Sequence, residues 1–381
     1  MGIKPCCDTI AKKFQSNNNQ NNNNLSPNSN TNYSLGIDNK NSILPNSNYN
    51  IQNQNPIVST NQNMLMNSTT PLKTNEAIPI QNTPAINNSI KTINEQSPFR
   101  CIKSFIAHND KIVSLIELYS GYIATGSYDK TIKIWDIDSQ QCLKVINESG
   151  NVMCLLEFEP GKILCGTEEN KINLWDINNS NQSLFSFEGH LLWVNCLAKC
   201  NENYFASGSN DSDIRIWSYQ DRECVNLLRG HTDCVLSMIL LKDGKLCSAS
   251  ADLTIRIWDW VNGTCLQELY GHKKWVKCVY QLSNGYIISG SDDKTIRIWN
   301  NYNCINELTG HTRSIRALCQ ISNNLFASAS FDQTIKIWDL NTMKMFQNLE
   351  GHEAYVICII FHSSGVLISC STDHTIKVWK N

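Results

Sequence analysis

Six segments of the chain each carry a His, an Asp 21 residues later, and a Trp six residues after that Asp, with Ser residues between them. The sets are His108, Asp129 and Trp135; His190, Asp211 and Trp217; His231, Asp252 and Trp258; His272, Asp293 and Trp299; His311, Asp332 and Trp338; and His352, Asp373 and Trp379. His, Ser and Asp together can run nucleophilic hydrolysis, in which the Ser attacks, the His moves its proton and the Asp orients the His. A catalytic constellation occurs once per site, whereas this one occurs six times. The repetition argues against an enzyme.

A seventh segment departs from the pattern. Glu148 stands in the His place, Glu169 in the Asp place and Cys165 in one of the Ser places, while Thr167 and Trp175 remain. Two carboxylates where a His and an Asp normally meet should repel unless one is protonated or both point outward. The expectation is a degenerate, weaker repeat, with a specialised contact site as the alternative.

Seventeen cysteines raise the question of metal or disulfide chemistry. No CxxC pair occurs, so no zinc site, metal or cofactor is expected. Cys154, Cys196, Cys278 and Cys358 share a slot with Ser114, Ser237 and Ala317, which marks a position for a small residue. Cys142, Cys224, Cys265 and Cys304 follow the repeat Trp at the start of another strand. Small core residues are expected in these slots. No apolar h-region lies near Met1 and no run is long enough to cross a bilayer. The expectation is a reduced intracellular protein of the cytoplasm or nucleus.

Composition divides the chain at residue 98. Eight of nine prolines lie before residue 99, every Trp lies after it, and the first 98 residues are about one quarter Asn. That leader holds six Lys and four acidic residues of the chain's 32 basic and 34 acidic ones, which leaves 26 basic and 30 acidic residues for the remainder. A net negative body gives no electrostatic reason to expect nucleic-acid binding. Residues 17–98 are too polar to offset the entropy of ordering them and are expected to be a disordered tether, with a reach of roughly 50 Å for about 80 residues, or an expanded low-complexity insert. Gly2, Cys6 and Cys7 resemble a dually acylated N-terminus, although Cys6 stands where myristoylation wants Ser or Thr and Pro5 interrupts the pattern. An ordinary disordered tail is the competing reading, and membrane association is expected only with acylation.

The elements that must position the repeated residues are short strands. Tryptophans at 135, 175, 217, 258, 299, 338 and 379 recur about every 41 residues, each closing an alternating apolar run. A repeat architecture follows. In the fifth repeat the strands are expected near Cys265 to Leu269, Val276 to Gln281, Tyr286 to Ser291 and Thr295 to Trp299. Such strands need neighbours stacked on each side. The last repeat stops after Trp379, one strand short, while the strand from Phe99 to Phe105 has no repeat of its own. Pairing the two would close a ring and protect the edges of an open array.

The Gly-His to Trp-Asp spacing, with Ser-x-Ser-x-Asp-x-Thr-Ile-[Lys/Arg]-Ile-Trp before it, resembles the WD40 repeat over residues 99 to 381. The resemblance implies an all-β, seven-bladed propeller of four antiparallel strands per blade, preceded by the leader of residues 1–98. It also implies that His, Asp, a strand Ser or Thr and the Trp form a hydrogen-bonded set within each blade. Those residues are then structural, as are the bases two before the Trp, Lys133, Arg215, Arg256, Arg297, Lys336 and Lys377.

Function is therefore sought where the repeats differ. Three residues after the His stand Trp193, Trp275 and Tyr355, and just before the Asp stand Tyr128 and Phe331. These slots flank the His and Asp loops, which the resemblance places on the partner-binding face, and the loops are also expected to carry Lys273, Lys274 and Lys277 in blade five and Arg313 and Arg316 in blade six. Blades five, six, seven and one are neighbours in a closed ring, and aromatic and Arg anchors are enriched at interaction hot spots. The expectation is a non-enzymatic interaction scaffold that binds proteins or peptides, acidic or phosphorylated ones in particular. The alternative is the substrate receptor of a ubiquitin ligase. The stretch before Phe99 shows no heptad pattern, which argues against a role of the G-protein β kind.

Overall fold

A computed structural model describes residues 97–179 and 182–381. The Asn-rich leader and the acylation motif at Gly2, Cys6 and Cys7 lie outside the described residues, apart from residues 97 and 98. The described chain forms seven four-stranded antiparallel sheets arranged as blades. Blade five shows the plan, running outward from Val276–Gln281 through Ile287–Ser291 and Ile296–Asn300 to Asn303–Leu308.

The innermost strands contact one another in sequence around the ring, and the first, Ile112–Glu117, meets the last, Val356–His362. Closure comes from the strand Arg100–Ile106, which pairs antiparallel with Thr375–Lys380 and completes the seventh sheet. The two chain segments that looked incomplete in sequence thus satisfy each other's backbone groups, and no sheet edge opens between blades seven and one. Each sequence repeat straddles two blades, because the strand before the His loop belongs to the preceding sheet: Thr264–Leu269 pairs with the third strand of blade four.

Apolar side chains fill the spaces between sheets. Ile132, Ile134 and Ile146 of blade one pack with Leu155, Ile163 and Trp175 of blade two, and the other junctions are built alike. The second strand of a blade, such as Ile123–Ser127, is buried along its whole length because sheets lie against both of its faces.

The small-residue slot has a steric cause. A Cβ added to Gly166 would meet the Cys154 sulfur at 2.5 Å, and one on Gly208 would meet Cys196 at 2.7 Å. Innermost and second strands therefore approach too closely for larger pairs. Burial pushes the Cys196 and Cys278 thiols up to about 12, so these cysteines are inert packing. The other cysteine set differs from expectation: Cys142, Cys224, Cys265 and Cys304, together with Cys101, are exposed. They lie on the outermost strands, which have a neighbour on one side only and so leave these side chains at the rim.

Candidate interaction face

Antiparallel connection puts successive loops on alternate ends of each blade. The loops carrying the His and the turns carrying the Asp share one end, called the upper face here, and the Asp ties them together. In blade five the Asp293 carboxylate accepts from His272 Nδ1 at 2.8 Å and from the Lys273 backbone N–H at 2.9 Å, while its other oxygen accepts from Thr295 N–H at 3.0 Å. Ser291 Oγ accepts from Asp293 N–H and donates to the Lys274 carbonyl, at 3.0 and 3.1 Å. A last bond, from Asp292 N–H to the Trp275 carbonyl at 2.9 Å, clasps turn to loop and recurs in all seven blades.

Below the Asp the network runs inward. Trp299 Nε1–H donates to Ser289 Oγ at 2.9 Å, and Ser289 Oγ lies 2.8 Å from His272 Nε2. The donor sequence that satisfies every group is Trp to Ser, Ser to a neutral His, and His Nδ1–H to an ionised Asp. The same arrangement occurs in the blades of His190, His231, His311 and His352, and in that of His108, where Thr125 replaces the Ser. Burial pulls the His108 imidazole down to about 4 against the opposing pull of Asp129, and it lowers His311 as well. Burial by itself would raise the Asp293 carboxyl, but the His272, Thr295 and Lys273 bonds outweigh it and hold the group well below the usual range. Ser289 is wholly buried and committed to its Trp and His. No substrate can reach it.

Blade two resolves its two carboxylates by separating them. Glu148 turns inward and accepts from Trp175 Nε1 and, at 2.8 Å, from Asn173 Nδ2. Glu169 stays at the surface and accepts from Ser149 Oγ at 2.6 Å. With one carboxylate in and the other out, the two do not meet. Gly150 makes this possible, because a Cβ there would lie 2.9 Å from Glu169 Cγ. Desolvation raises the Glu148 carboxyl against the opposing bonds from Trp175 and Asn173. Asn173 occupies the place that holds Lys or Arg in the other blades, a change visible in the sequence once the Trp is taken as the reference.

On the upper face, blades six and seven meet through aromatic rings. Phe331 stacks on Tyr355 with centroids 4.6 Å apart and planes 11° from parallel, and the Arg313 guanidinium lies 5.9 Å from the Tyr355 centroid while Nη1 donates to its hydroxyl at 3.3 Å. In blade five, Lys277 Nζ sits 4.2 Å from the Trp275 ring centroid and 3.6 Å from Asp292. Ser314 Oγ of blade six donates to Asp292, so an acidic residue bridges the two blades. Lys273, Lys274 and Arg313 are exposed.

Two of the candidate bases sit elsewhere than expected. Lys277 and Arg316 belong to innermost strands rather than to loops. Arg316 lines the axial channel, a cavity of about 250 Å³ that also holds Asn195 and Cys278, and its Nη1 donates to the Lys277 carbonyl at 3.3 Å. Tyr128 of blade one packs under Lys111, whose Nζ is 5.2 Å from the ring centroid. Trp193 is in blade three, and blade four separates it from blade five. The described residues contain no His, Cys, Asp and Glu cluster that could hold a metal ion, and no helix long and apolar enough to cross a membrane.

The family model described as "WD domain, G-beta repeat" matches residues 99–136, 181–218, 222–259, 263–300, 302–339 and 343–380. These segments cover more than half of the chain, and residues 137–180, which hold most of blade two, fall between them. Among curated relatives, Mitochondrial division protein 1 of Saccharomyces cerevisiae is 26% identical over 136 residues, 35% of this chain and 16% of that protein. CCR4-associated factor 4 of the same species is 27% identical over 152 residues, 40% of this chain and 21% of that one. DENN domain and WD repeat-containing protein SCD1 of Arabidopsis thaliana is 32% identical over 132 residues, 34% and 11% of the two chains. The matched stretch spans about a fifth or less of the length of these relatives.

Proposed function

The chain belongs to the WD40-repeat family, whose propellers typically serve as protein-interaction scaffolds and are generally non-catalytic, and on that premise we propose that its upper face at blades five to seven binds an acidic or phosphorylated protein segment. The observation that carries the proposal is the group of Phe331, Tyr355 and Arg313, with Trp275 and Lys277 one blade away. Stacked rings offer a preformed apolar platform, and an exposed guanidinium held against one of them presents donors to a carboxylate or phosphate at little entropic cost. Exposed Lys273 and Lys274 extend the positive rim, while Arg316 supplies a cation at the channel mouth. Asp292 is a built-in counter-ion to Lys277, which an incoming anion must displace.

Tyr128 and Trp193 mark secondary contacts on blades one and three. The leader of residues 1–98 serves as a tether under this reading, and Gly2, Cys6 and Cys7 would bring the scaffold to a membrane if acylated. The name CCR4-associated factor 4 describes association with another protein, which fits a scaffold.

The test is an array of acidic and phosphorylated peptides probed with the full chain and with the variant Lys273→Glu, Lys274→Glu, Arg313→Glu, shown folded by circular dichroism. Binding weakened at least tenfold in the variant, and weakened by salt in the parent, is the expected result. Unchanged binding would overturn the proposal.

A further inference from the structure

On the lower face of blades one, three, four, five and six, a turn joins the third strand to the outermost, and blade five has a shorter turn than its neighbours. In blades one, four and six the flanking pairs are Asp136 with Gln141, Asp259 with Thr264 and Asp339 with Lys344, so four residues form the turn. In blade five Asn300 pairs with Asn303, and only Asn301 and Tyr302 remain between them. Both have positive φ, 45° and 65°, as a two-residue hairpin turn requires. A tyrosine in that region is an uncommon and strained choice.

The longer turns share a device that this one lacks room for. The residue after the first flanking position is apolar and packs beneath the junction with the preceding blade: Ile137 against blade seven, Tyr219 of the long blade-three turn against blade two, Trp260 against blade three and Leu340 against blade five. In blade five that position is Asn301. Tyr302 reaches the core of blade four and its hydroxyl lies 3.2 Å from Lys245 Nζ, but it does not fill the space. A cavity of about 450 Å³ opens between the lower ends of blades four and five, lined by Leu241, Ile287 and Trp299, by the amides of Asn284, Asn300 and Asn301, and by the charged Lys242, Asp243 and Lys245. Among the described residues, the side chains of Asn300 and Asn301 make no hydrogen bond.

We propose that this cleft is a peptide-binding site that takes, from a partner protein, the apolar side chain that other blades supply from their own turns. The incoming residue is aliphatic or aromatic, by the chemistry of the four plugs. It inserts over Leu241 and Ile287 while the amides of Asn284, Asn300 and Asn301 bond the backbone beside it, a mixed lining and volume that suit a short extended segment. The site lies on the end of the propeller opposite to the acidic-segment face and does not depend on it.

A random-heptamer display library panned on the full chain tests this. Two variants occupy the cleft: one replaces Asn300–Asn303 with the six-residue blade-six turn Asp339–Lys344, and Asn284→Trp fills it from an exposed rim position in case the graft misfolds. The expected result is enrichment of sequences sharing one Leu, Ile, Trp or Tyr, with binding lost at least tenfold in whichever variant is folded and retained in Lys273→Glu, Lys274→Glu, Arg313→Glu. No enrichment, or enriched peptides that bind the filled variants as well as the parent, would overturn the proposal. Peptides lost only with the charge-reversal variant would support the upper-face reading and also overturn this one.

Discussion

Blades two and five solve one problem with different chemistry. Each must bury an indole N–H and hold an upper loop against a turn. Blade five does so with a neutral imidazole between a hydroxyl and an ionised carboxylate, a chain in which every donor finds an acceptor and the charge sits near the surface. Blade two places the carboxylate itself against the indole, 8% exposed, and keeps the second carboxylate for a surface hydroxyl. The difference shows that the fold requires an acceptor for the Trp, whichever group supplies it. Direct coupling between core and upper loop is the feature that blade two has given up, since Glu148 and Glu169 do not bond each other as His272 and Asp293 do.

The largest test of that difference compares His272→Ala with Glu148→Ala. Removing His272 leaves the buried Ser289 hydroxyl without an acceptor and a void between hydroxyl and carboxylate, and it takes the Nδ1–H bond from Asp293, which keeps only those from Lys273 and Thr295. At about 1–3 kcal/mol per buried unsatisfied group, a loss of about 3 kcal/mol is expected. Removing Glu148 strands Trp175 N–H and Asn173 but also relieves a desolvated charge, so a loss of about 1 kcal/mol is expected. Denaturant midpoints at unchanged m measure both. Equal losses would break the comparison.

Acid separates the blades by sign. His108 is held at about 4 in the fold against an ordinary 6.5, so the unfolded chain binds its proton first, and stability falls as pH drops from about 6.5 to about 4, by about 3 kcal/mol for this group. The lowered Asp residues act in the same direction at still lower pH, because their contribution exists above the ordinary carboxylate range and is lost as they protonate. Glu148 acts in the opposite direction. Its raised carboxyl takes a proton more readily in the fold than in the unfolded chain, so blade two gains relative stability as pH falls toward the ordinary Glu range. Melting temperature should therefore fall between pH 7 and 4, and fall further in Glu148→Gln. A variant with the parent's pH profile would remove Glu148 from this account.

Most of the fold was legible because it is written several times over. The spacing of His272, Asp293 and Trp299 recurs in five other segments, and the orphan strand at Arg100–Ile106 and the short last repeat named each other as partners. The candidate face was legible only in part. Trp275, Phe331 and Tyr355 stand out by residue type, but stacking between Phe331 and Tyr355 depends on how adjacent blades abut, which no spacing within one repeat encodes. Arg316 looked like a loop residue because the loop is counted from the His, whereas the strand already begins at Ile315 and its alternation turns Arg316 to the channel. The exposed cysteines misled for a related reason: residue type suggested burial, and only the position of an outermost strand at the rim decided otherwise.

The smallest expected effect comes from giving blade two the chemistry of blade five. The variant Glu148→His, Cys165→Ser, Asn173→Lys and Glu169→Asp rebuilds the chain from Trp175 through a hydroxyl and an imidazole to a carboxylate. One buried charge is withdrawn and three hydrogen bonds are added, Trp to Ser, Ser to His and His to Asp, at about 1 kcal/mol net for each bond, while the Trp175 and Asn173 bonds to Glu148 and the Ser149 bond to Glu169 are lost. A gain of about 1 kcal/mol is expected, read as a higher denaturant midpoint, together with slower amide exchange in residues 148–151, because the new Asp would clasp a loop that Glu169 now reaches only through Ser149. A gain in both readouts would mark blade two as a weakened copy of its neighbours. Slower exchange with a loss of stability would instead mean that the Glu148 arrangement is optimised around Gly150 and Cys165, and that the regular network cannot be inserted without disturbing the packing it has replaced.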